Sequence, residues 1–157
     1  FSQERIDFGQ MNSLYNISDF CINISYAEGF GLGTLEAMMT GTPIVATKTG
    51  GMTRQVIDHR DGTENGVGLN VELKTMVGSQ GVPYIYEDYV SCEKIADGIM
   101  KIFNLNKEEK QRLSEKVLNY AHTQFDYQEM IDAWHDSLID THKNWKGNYK
   151  RWEKIAV

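Results

Sequence analysis

The sequence contains no run of about 20 consecutive apolar residues, the length that a helix needs to cross a bilayer. It also does not open with a charged segment followed by a short apolar stretch, which is the pattern of a secretory signal. We therefore expect a cytoplasmic protein, and contact with a membrane surface is left open.

Cysteine and basic residues are both scarce. The two cysteines, Cys21 and Cys92, form neither a metal-binding spacing nor a disulfide framework. Lysine and arginine number 16 against 22 aspartate and glutamate residues, which gives a net charge of −6. Because a nucleic-acid surface needs clustered cations to neutralise phosphates, we expect no nucleic-acid partner.

The order of apolar runs and glycine-bearing loops predicts a Rossmann-like α/β fold. Strands are expected at residues 20–24, 44–46 and 69–71, with helices at 34–40 and 52–57 between them. This spacing is typical of a parallel sheet flanked by helices, and the apolar first strand should be covered on both faces. Both glycine loops should open at the carboxyl edge of the sheet, where ligands bind.

The flanking parts of the chain are less regular. Residues 5–8 are expected to form a short edge strand and residues 11–16 a helix. Residues 74–89 contain two glycines and a proline, which predicts an irregular excursion with one small strand at 84–86.

Three helices are expected to finish the chain, which is long enough for one domain over residues 1–157. Ser91 is placed to cap the first of them. Asn106 with Glu109, and Asp126 with Glu129, have the spacing of capping boxes at the starts of the second and third.

Glycine and charge are concentrated in residues 28–36, EGFGLGTLE, between the first buried strand and the helix. Glycines let a backbone approach a ligand closely, and a helix N-terminus favours a phosphate, to which Thr34 adds a hydroxyl. If the helix starts near Gly33, Glu36 lies in its first turn and can accept hydrogen bonds from the vicinal hydroxyls of a ribose. Glu28, at the end of the first strand, would contact the end of the ligand opposite the ribose. A phosphate between two hydroxyl-rich groups is a nucleotide sugar.

Simpler interpretations of this loop stay open. Glu36 has the position of a helix-capping carboxylate, Glu28 that of a solvated loop residue, and the glycines are also common turn residues. A dinucleotide fingerprint fits poorly because Thr34 replaces its third glycine, and the lysine of a P-loop is absent. Another Rossmann-like nucleotide binder remains a weaker alternative.

Residues 28–47, EGFGLGTLEAMMTGTPIVAT, closely resemble the E-x7-E signature of the retaining GT-B glycosyltransferases (glycosyltransferase family 4, glycosyl transferases group 1). The resemblance covers roughly residues 1–72 well and the terminal helices loosely. It implies the carboxyl-terminal donor-binding domain of an enzyme that transfers a sugar from a nucleotide sugar to an acceptor with retention of configuration.

The resemblance also implies roles for single residues. Glu28 would be the catalytic carboxylate beside the transferred sugar, where it orients the donor or stabilises positive charge at the anomeric carbon. Glu36 would bind the ribose hydroxyls, and neither a metal nor another cofactor is expected. The other implied donor-binding residues hold the sugar, the diphosphate and the nucleoside: Gly29, Phe30, Gly31, Leu32, Thr34 and Leu35.

The chain also departs from the family pattern. Gly33 stands where proline is common, and residues 73–89 are longer than the usual link to the next helix. The early arginine and lysine that clamp the diphosphate have no counterpart, since Arg5 and Lys48 stand at the wrong positions. Lys48 could meet a phosphate, but interpretation as an exposed lysine is preferred. We therefore expect a partial domain that lacks the acceptor domain. The alternative is a non-catalytic nucleotide-sugar-binding or interaction domain, and homo-oligomer formation is left open.

Residues 142–157 form a basic tail with three aromatic rings on an otherwise acidic chain. Two interpretations are kept for this tail. It could make peripheral contact with an anionic membrane. The resemblance favours the other, in which the last helix packs against an amino-terminal domain.

Overall fold

The structure, a computed structural model, describes residues 6–148. The chain divides into two compact units, of which the first ends at Gln124 and the second begins at Phe125. The first unit holds all the strands and five helices of the described residues, and the second holds one long helix.

A three-stranded parallel sheet lies at the centre of the first unit. Its strands are β1 (Cys21–Asn23), β2 (Ile44–Thr47) and β3 (Gly66–Leu69), in the order β1-β2-β3. All four residues of β2 are buried, so the predicted parallel α/β fold is confirmed. The expectation that β1 is covered on both faces is wrong, because β1 is the outer strand and Ile22 is 43% exposed.

The first helix confirms the helix predicted at residues 11–16 and begins earlier, within the predicted edge strand. α1 (Phe8–Asn16) begins directly after Asp7, whose carboxylate accepts a hydrogen bond from the Gln10 N–H at 2.8 Å, while the Gln10 side chain accepts one from the Asp7 N–H. This capping box overrides the alternation of apolar residues that suggested an edge strand over residues 5–8. That prediction is wrong for residues 6–8, and Arg5 lies outside the described residues.

The third strand is found earlier than expected. Residues 69–71 were predicted as a strand, whereas β3 covers Gly66–Leu69. A Cβ on Gly66 would lie 1.9 Å from the Ile44 carbonyl oxygen, so this glycine lets β3 approach β2 closely. Glycine in a strand can thus mark close backbone packing as well as a turn.

A β-hairpin occupies the segment that was predicted to be irregular. It consists of β4 (Leu73–Ser79) and the antiparallel β5 (Val82–Tyr89), with an irregularity in the register between Val77 and Ser79. The prediction of one small strand is wrong, because Gly78 lies at the irregularity in β4 and Gly81 lies in the turn between the two strands. Pro83 is tolerated because a strand of a two-stranded sheet has an open edge.

Helices cover the sheet and complete the core. They are α2 (Leu32–Met39), α3 (Met52–Val56), α4 (Cys92–Phe103) and α5 (Lys107–Gln124). The capping box of α5 is confirmed, because the N–H groups of Asn106 and Glu109 each donate to the other's side chain at 2.9 Å. Ser91 is the N-cap of α4, although its hydroxyl makes no capping bond. The buried apolar cluster between sheet and α4 consists of Val45, Val67, Leu69 and Ile102.

The second unit contains α6 (Tyr127–Asn148). One of the two hydrogen bonds of the predicted capping box is present at its start: the Glu129 N–H donates to the Asp126 carboxylate at 2.8 Å. The three predicted terminal helices are therefore present as α4, α5 and α6. Residues 142–148 of the predicted basic tail belong to α6, and residues 149–157 lie outside the described part.

The turn after α3 is held by a buried carboxylate. Asp58 is 2% exposed and accepts hydrogen bonds from the backbone N–H of Arg60 at 2.9 Å and from its guanidinium at 2.9 and 2.7 Å. These bonds with Arg60 lower the pKa of Asp58 to about 2. The charged form of Asp58 is thus stabilised by folding.

We expect Asp58→Asn to lower the free energy of unfolding by about 2 kcal/mol at pH 7. Because the pKa of Asp58 is lower in the folded state, its contribution is present above the usual pKa near 3.8 and is lost as the pH falls toward 2. Urea unfolding of parent and variant at pH 7, 4 and 2.5 measures the difference in their free energies of unfolding. Asp97→Asn, at an exposed position of α4, is the control. If Asp58→Asn lowered the free energy of unfolding equally at pH 7 and at pH 2.5, the prediction would be wrong.

Candidate functional site

The glycine loop leads from the carboxyl end of β1 into α2. The helix begins at Leu32, with Gly31 as the N-cap in the left-handed region at φ 87°. A Cβ on Gly31 would lie 2.6 Å from the Thr34 hydroxyl oxygen and 2.8 Å from Met52 Cγ, so only glycine fits here without strain. Because α2 begins before Gly33, Glu36 lies in the second turn of the helix. The expectation that it lies in the first turn is wrong.

The second glycine loop, which follows β2, packs directly against the first. Gly50 has φ 47°, and a Cβ there would lie 1.8 Å from the Glu28 carbonyl oxygen. The Gly51 N–H donates to the Gly29 carbonyl at 3.1 Å, and a Cβ on Gly51 would lie 2.7 Å from Phe30 Cα. The two loops thus meet at the carboxyl edge of the sheet, as the topology predicted.

A buried glutamine on α3 holds the glycine loop from behind. The Gln55 side-chain amide donates to the Phe30 carbonyl at 2.6 Å and to the Gly31 carbonyl at 3.2 Å, while its oxygen accepts from the Thr34 hydroxyl at 2.5 Å. Both Gln55 and Thr34 are at most 1% exposed. The Thr34 hydroxyl therefore faces the protein, and the whole residue, including its backbone, is closed to solvent.

The outer side of the loop offers backbone donors. A helix leaves its first N–H groups without an intrahelical acceptor. In α2 these belong to Leu32, Gly33 and Thr34, since the Leu35 N–H bonds back to the Gly31 carbonyl at 3.1 Å. Leu32 is 68% exposed, and Gly33 is also exposed. This end of α2 can therefore receive an anionic group from solvent.

Glu36 lies beside a cavity between α1 and α2. The Tyr15 hydroxyl donates to Glu36 Oε2 at 3.1 Å, and burial together with this carboxylate raises the pKa of Tyr15 to about 12. Tyr15 thus stays protonated at neutral pH and holds one carboxylate oxygen. The cavity has a volume of about 250 Å³, and its lining residues are Phe8, Met11, Asn12, Tyr15, Glu36, Met39 and Thr40.

Glu28 and Glu36 have different surroundings. Glu28 is half-buried at the start of the loop, where its carbonyl oxygen faces Gly50. Glu36 is exposed one turn into α2, next to Tyr15. Phe30 lies between them and is 44% exposed. Four residues between the two glutamates in the chain are exposed, namely Gly29, Phe30, Leu32 and Gly33, whereas Gly31 is buried.

Lys48 is not the freely exposed lysine that the sequence suggested. Its Nζ donates to Asn70 Oδ1 at 3.0 Å and lies 3.7 Å from Glu64 Oε1, and its side chain is 25% exposed. Lys48 thus pairs with groups next to β3 rather than with the glycine loop. Its prediction as an exposed residue is wrong.

Two negative findings apply to residues 6–148. No group of three His, Cys, Asp or Glu side chains there is arranged to hold a metal ion. No helix in the same part of the chain is both long and apolar enough to cross a membrane. The expected independence from metal and the expected cytoplasmic location stay predictions.

Comparison with known families supports the resemblance to glycosyltransferases. A family model described as glycosyl transferases group 1 matches residues 4–75, which include both glycine loops. Among solved structures, the catalytic domain of starch synthase IV from Arabidopsis thaliana, bound to ADP and acarbose, matches with a TM-score of 0.56 and 23% identity. The match covers 80% of this chain and 24% of that one, and it shows that the chain has a GT-B-like α/β fold.

Curated proteins match shorter segments of the chain. D-inositol 3-phosphate glycosyltransferase 2 of Catenulispora acidiphila is 40% identical over 58 residues, which are 37% of this chain and 14% of that protein. D-inositol 3-phosphate glycosyltransferase of Arthrobacter sp. is 46% identical over 48 residues (31% and 11%). Trehalose synthase of Pyrococcus horikoshii is 36% identical over 53 residues (34% and 13%). The matched segments thus span 11–14% of these relatives.

Proposed function

We propose that this chain is the donor-binding part of a glycosyltransferase that moves a sugar from a nucleotide sugar to an acceptor with retention of configuration. The observation that carries the proposal is the exposure of Gly29, Phe30, Leu32 and Gly33 at the start of α2, with Glu28 before them and Glu36 after them in the chain. The matches to proteins named as glycosyltransferases support it.

The donor would bind along α2. Its base enters the cavity between α1 and α2, which has apolar walls and a volume of about 250 Å³. The ribose hydroxyls donate to Glu36, whose other carboxylate oxygen is held by Tyr15. The diphosphate accepts hydrogen bonds from the backbone N–H groups at the start of α2. Donor contacts are thus assigned to the exposed Gly29, Phe30, Leu32 and Glu36 and to the half-buried Leu35, while the buried Gly31 and Thr34 support the loop from inside.

Glu28 is the proposed catalytic residue. When the bond between the anomeric carbon and the diphosphate oxygen breaks, positive charge develops on the sugar, and a fixed carboxylate nearby stabilises it. The acceptor hydroxyl then bonds to the anomeric carbon and gives its proton to the departing diphosphate. Packing of Gly50 against the Glu28 carbonyl holds the backbone of this residue in place.

Titration of the intact protein with UDP-, GDP- and ADP-sugars tests the proposal. We expect one base to bind best, and transfer of the labelled sugar to an acceptor or to water should follow. The absence of binding by all three would contradict the donor site. Tight binding of NAD without binding of any sugar nucleotide would favour another Rossmann-like nucleotide binder.

A non-catalytic nucleotide-sugar-binding domain is the second candidate. The pairing of Lys48 with Asn70 and Glu64 favours this candidate, because a lysine held there does not bind the diphosphate. Donor binding without any sugar release or transfer by the intact protein would establish this candidate. Measurable turnover that Glu28→Gln abolishes, while donor affinity stays within about 3-fold, would exclude it.

A further inference from the structure

The cavity between α1 and α2 contains an unused hydrogen-bond donor. The polar side chains of this cavity are Asn12, Tyr15, Glu36 and Thr40. The Tyr15 hydroxyl donates to Glu36 at 3.1 Å, and the Thr40 hydroxyl donates to the Ala37 carbonyl at 2.7 Å. In the part of the chain that the structure describes, no acceptor is found for the amide nitrogen of Asn12. This side chain therefore has two N–H groups to offer to a ligand in the cavity.

Asn16 fixes which way the Asn12 amide is turned. The two residues are about one helical turn apart on α1. The Asn16 amide nitrogen donates to the backbone carbonyl of Asn12 at 2.9 Å and to its side-chain oxygen at 3.1 Å. A backbone carbonyl oxygen only accepts, so the Asn16 atom beside it is the nitrogen, and the Asn12 atom that faces this nitrogen is the oxygen. The Asn12 oxygen is thus occupied, and its nitrogen is the free end of the amide.

Positions about one turn apart on α2 correspond to the successive parts of a nucleotide. A Cβ on Gly33, at the end that would bind the diphosphate, would lie 3.6 Å from the Tyr15 hydroxyl oxygen, and the same hydroxyl bonds to Glu36 one turn further on. Met39, another turn along α2, lines the cavity together with Asn12. Because a helical turn advances about 5.4 Å, a phosphate at Gly33 and a ribose at Glu36 bring the base to the level of Met39. The base then lies in the cavity whose wall carries Asn12.

The remaining walls of the cavity suit the faces of an aromatic ring. Phe8, Met11 and Met39 line the cavity, and the Phe8 ring is 92% exposed, so one of its faces is available for stacking. Methionine sulfur also makes favourable contacts with aromatic rings. These side chains do not distinguish one base from another. Selection among bases would therefore depend on the polar edge of the ring, where Asn12 supplies its donor.

Nucleobases differ in the exocyclic group on this edge. Uracil and guanine carry a carbonyl oxygen at the position remote from the ribose, which accepts a hydrogen bond, whereas cytosine and adenine carry an amino group, which donates. A carbonyl opposite the fixed Asn12 nitrogen gains a hydrogen bond. An amino group there would place two donors face to face, and both would be left without an acceptor.

We propose that Asn12 selects donors whose base carries a carbonyl group at this edge, that is, sugar nucleotides of the uracil or guanine type rather than of the cytosine or adenine type. This inference rests on the proposed function, because it requires the donor to bind along α2. It names the chemical class of the base. It also assigns a specificity-determining role to Asn12 and a positioning role to Asn16.

Calorimetric titration of the intact protein with UDP, CDP, IDP and ADP tests the inference. UDP and CDP, and likewise IDP and ADP, differ only in the exocyclic group, a carbonyl or an amino group, and in the proton on the neighbouring ring nitrogen. In the pair that binds more tightly, we expect the affinity of the carbonyl member to exceed that of the amino member by about 2- to 12-fold, the ratio that one neutral hydrogen bond gives. The pair with the higher affinity distinguishes a uracil donor from a guanine donor.

Three variants separate the role of Asn12 from a general effect. Asn12→Asp replaces the donor by an acceptor, so the ratio of carbonyl to amino affinity should fall below one. Asn16→Ala releases the Asn12 amide, which can then turn either end to the base, so the ratio should fall toward one although Asn12 is retained. Asn119→Asp adds the same negative charge at an exposed position of α5 and should leave the ratio unchanged.

Several outcomes would overturn the inference. Equal affinities within both pairs of nucleotides, or tighter binding of the amino members, would do so without any variant. So would a ratio that Asn12→Asp leaves unchanged, or one that Asn119→Asp lowers as much. A ratio that Asn16→Ala leaves unchanged would refute the positioning role of Asn16. Asn12 and Asn16 are both exposed, and thermal melts of the variants exclude unfolding as the cause of a change.

The proposed function fails in a different way. If none of the four nucleotides bound, the donor site would be refuted, and the inference with it. If nucleotides bound but the carbonyl and amino members bound equally, the donor site would stand and only the selection by Asn12 would be refuted. Because the measured quantity is a ratio of affinities, a change of charge near the diphosphate affects both members of a pair and cancels.

Discussion

Gly50→Ala is expected to lower the free energy of unfolding by about 2–5 kcal/mol. An alanine at φ 47° carries left-handed strain of about 1–2 kcal/mol. Its Cβ would lie 1.8 Å from the Glu28 carbonyl oxygen, so the two glycine loops must separate, and overpacking of this kind costs about 1–3 kcal/mol. Urea unfolding measures the change. Because the displaced backbone belongs to Glu28, affinity for the nucleotide sugar should fall as well.

Gly33→Ala is the matched control for this prediction. Gly33 lies in the first turn of α2, and a Cβ there would come no closer than 3.6 Å to the Tyr15 hydroxyl oxygen. Alanine is about 1 kcal/mol more favourable than glycine inside a helix, so this variant should be as stable as the parent or slightly more stable. If Gly50→Ala unfolded at the same urea concentration as Gly33→Ala, the close packing of the two loops would be wrong.

Local signals predicted the parts of the fold that depend on neighbours in sequence. The apolar run at Ile44 gave β2, and Gly41, at φ 79°, ends α2 where its position after the helix formers indicated. The reciprocal bonds of Asn106 and Glu109 follow from their spacing. In each case the interacting groups are a few residues apart, so a pattern in the sequence identifies them.

Glycine and proline were misleading where their partners are distant in sequence. Gly66 lies in β3 because the backbone of Ile44 is close, and nothing in the local sequence indicates that neighbour. Pro83 lies in β5 because that edge of the hairpin is open. The same residue types occur in turns, and only the tertiary structure separates the two uses.

The site shows the same division. The sequence identified Glu28, Glu36 and the glycines, and in the structure the residues between the two glutamates form a loop that leads into α2. The sequence did not identify the role of Gln55 or the hydrogen bond from Tyr15 to Glu36. These bonds join residues that are 21 to 25 positions apart in the chain. A glutamine in the first turn of a short helix carries no signal by itself. Only its burial against two carbonyls indicates its role in holding the loop.

Glu36→Gln should weaken binding of the preferred nucleoside diphosphate by about 10- to 150-fold. Hydrogen bonds to a charged group contribute about 1.5–3 kcal/mol, and the amide replaces the carboxylate that would accept both ribose hydroxyls. Tyr15→Phe should cause a smaller loss, since it frees the carboxylate without removing it. Because the pKa of Tyr15 is about 12, the Tyr15 hydroxyl stays protonated and its effect should not change between pH 6 and 9. Calorimetry gives these dissociation constants.

A ligand without the 2′ and 3′ hydroxyls separates a ribose contact from a general effect of charge. The dideoxy nucleoside diphosphate should bind the parent protein as weakly as the complete ligand binds Glu36→Gln, and the substitution should then cost nothing further. Glu108→Gln, an exposed glutamate in the first turn of α5, is the control for the loss of one negative charge. If Glu36→Gln weakened both ligands equally, Glu36 would act through the long-range field or the fold, and the ribose assignment would be wrong.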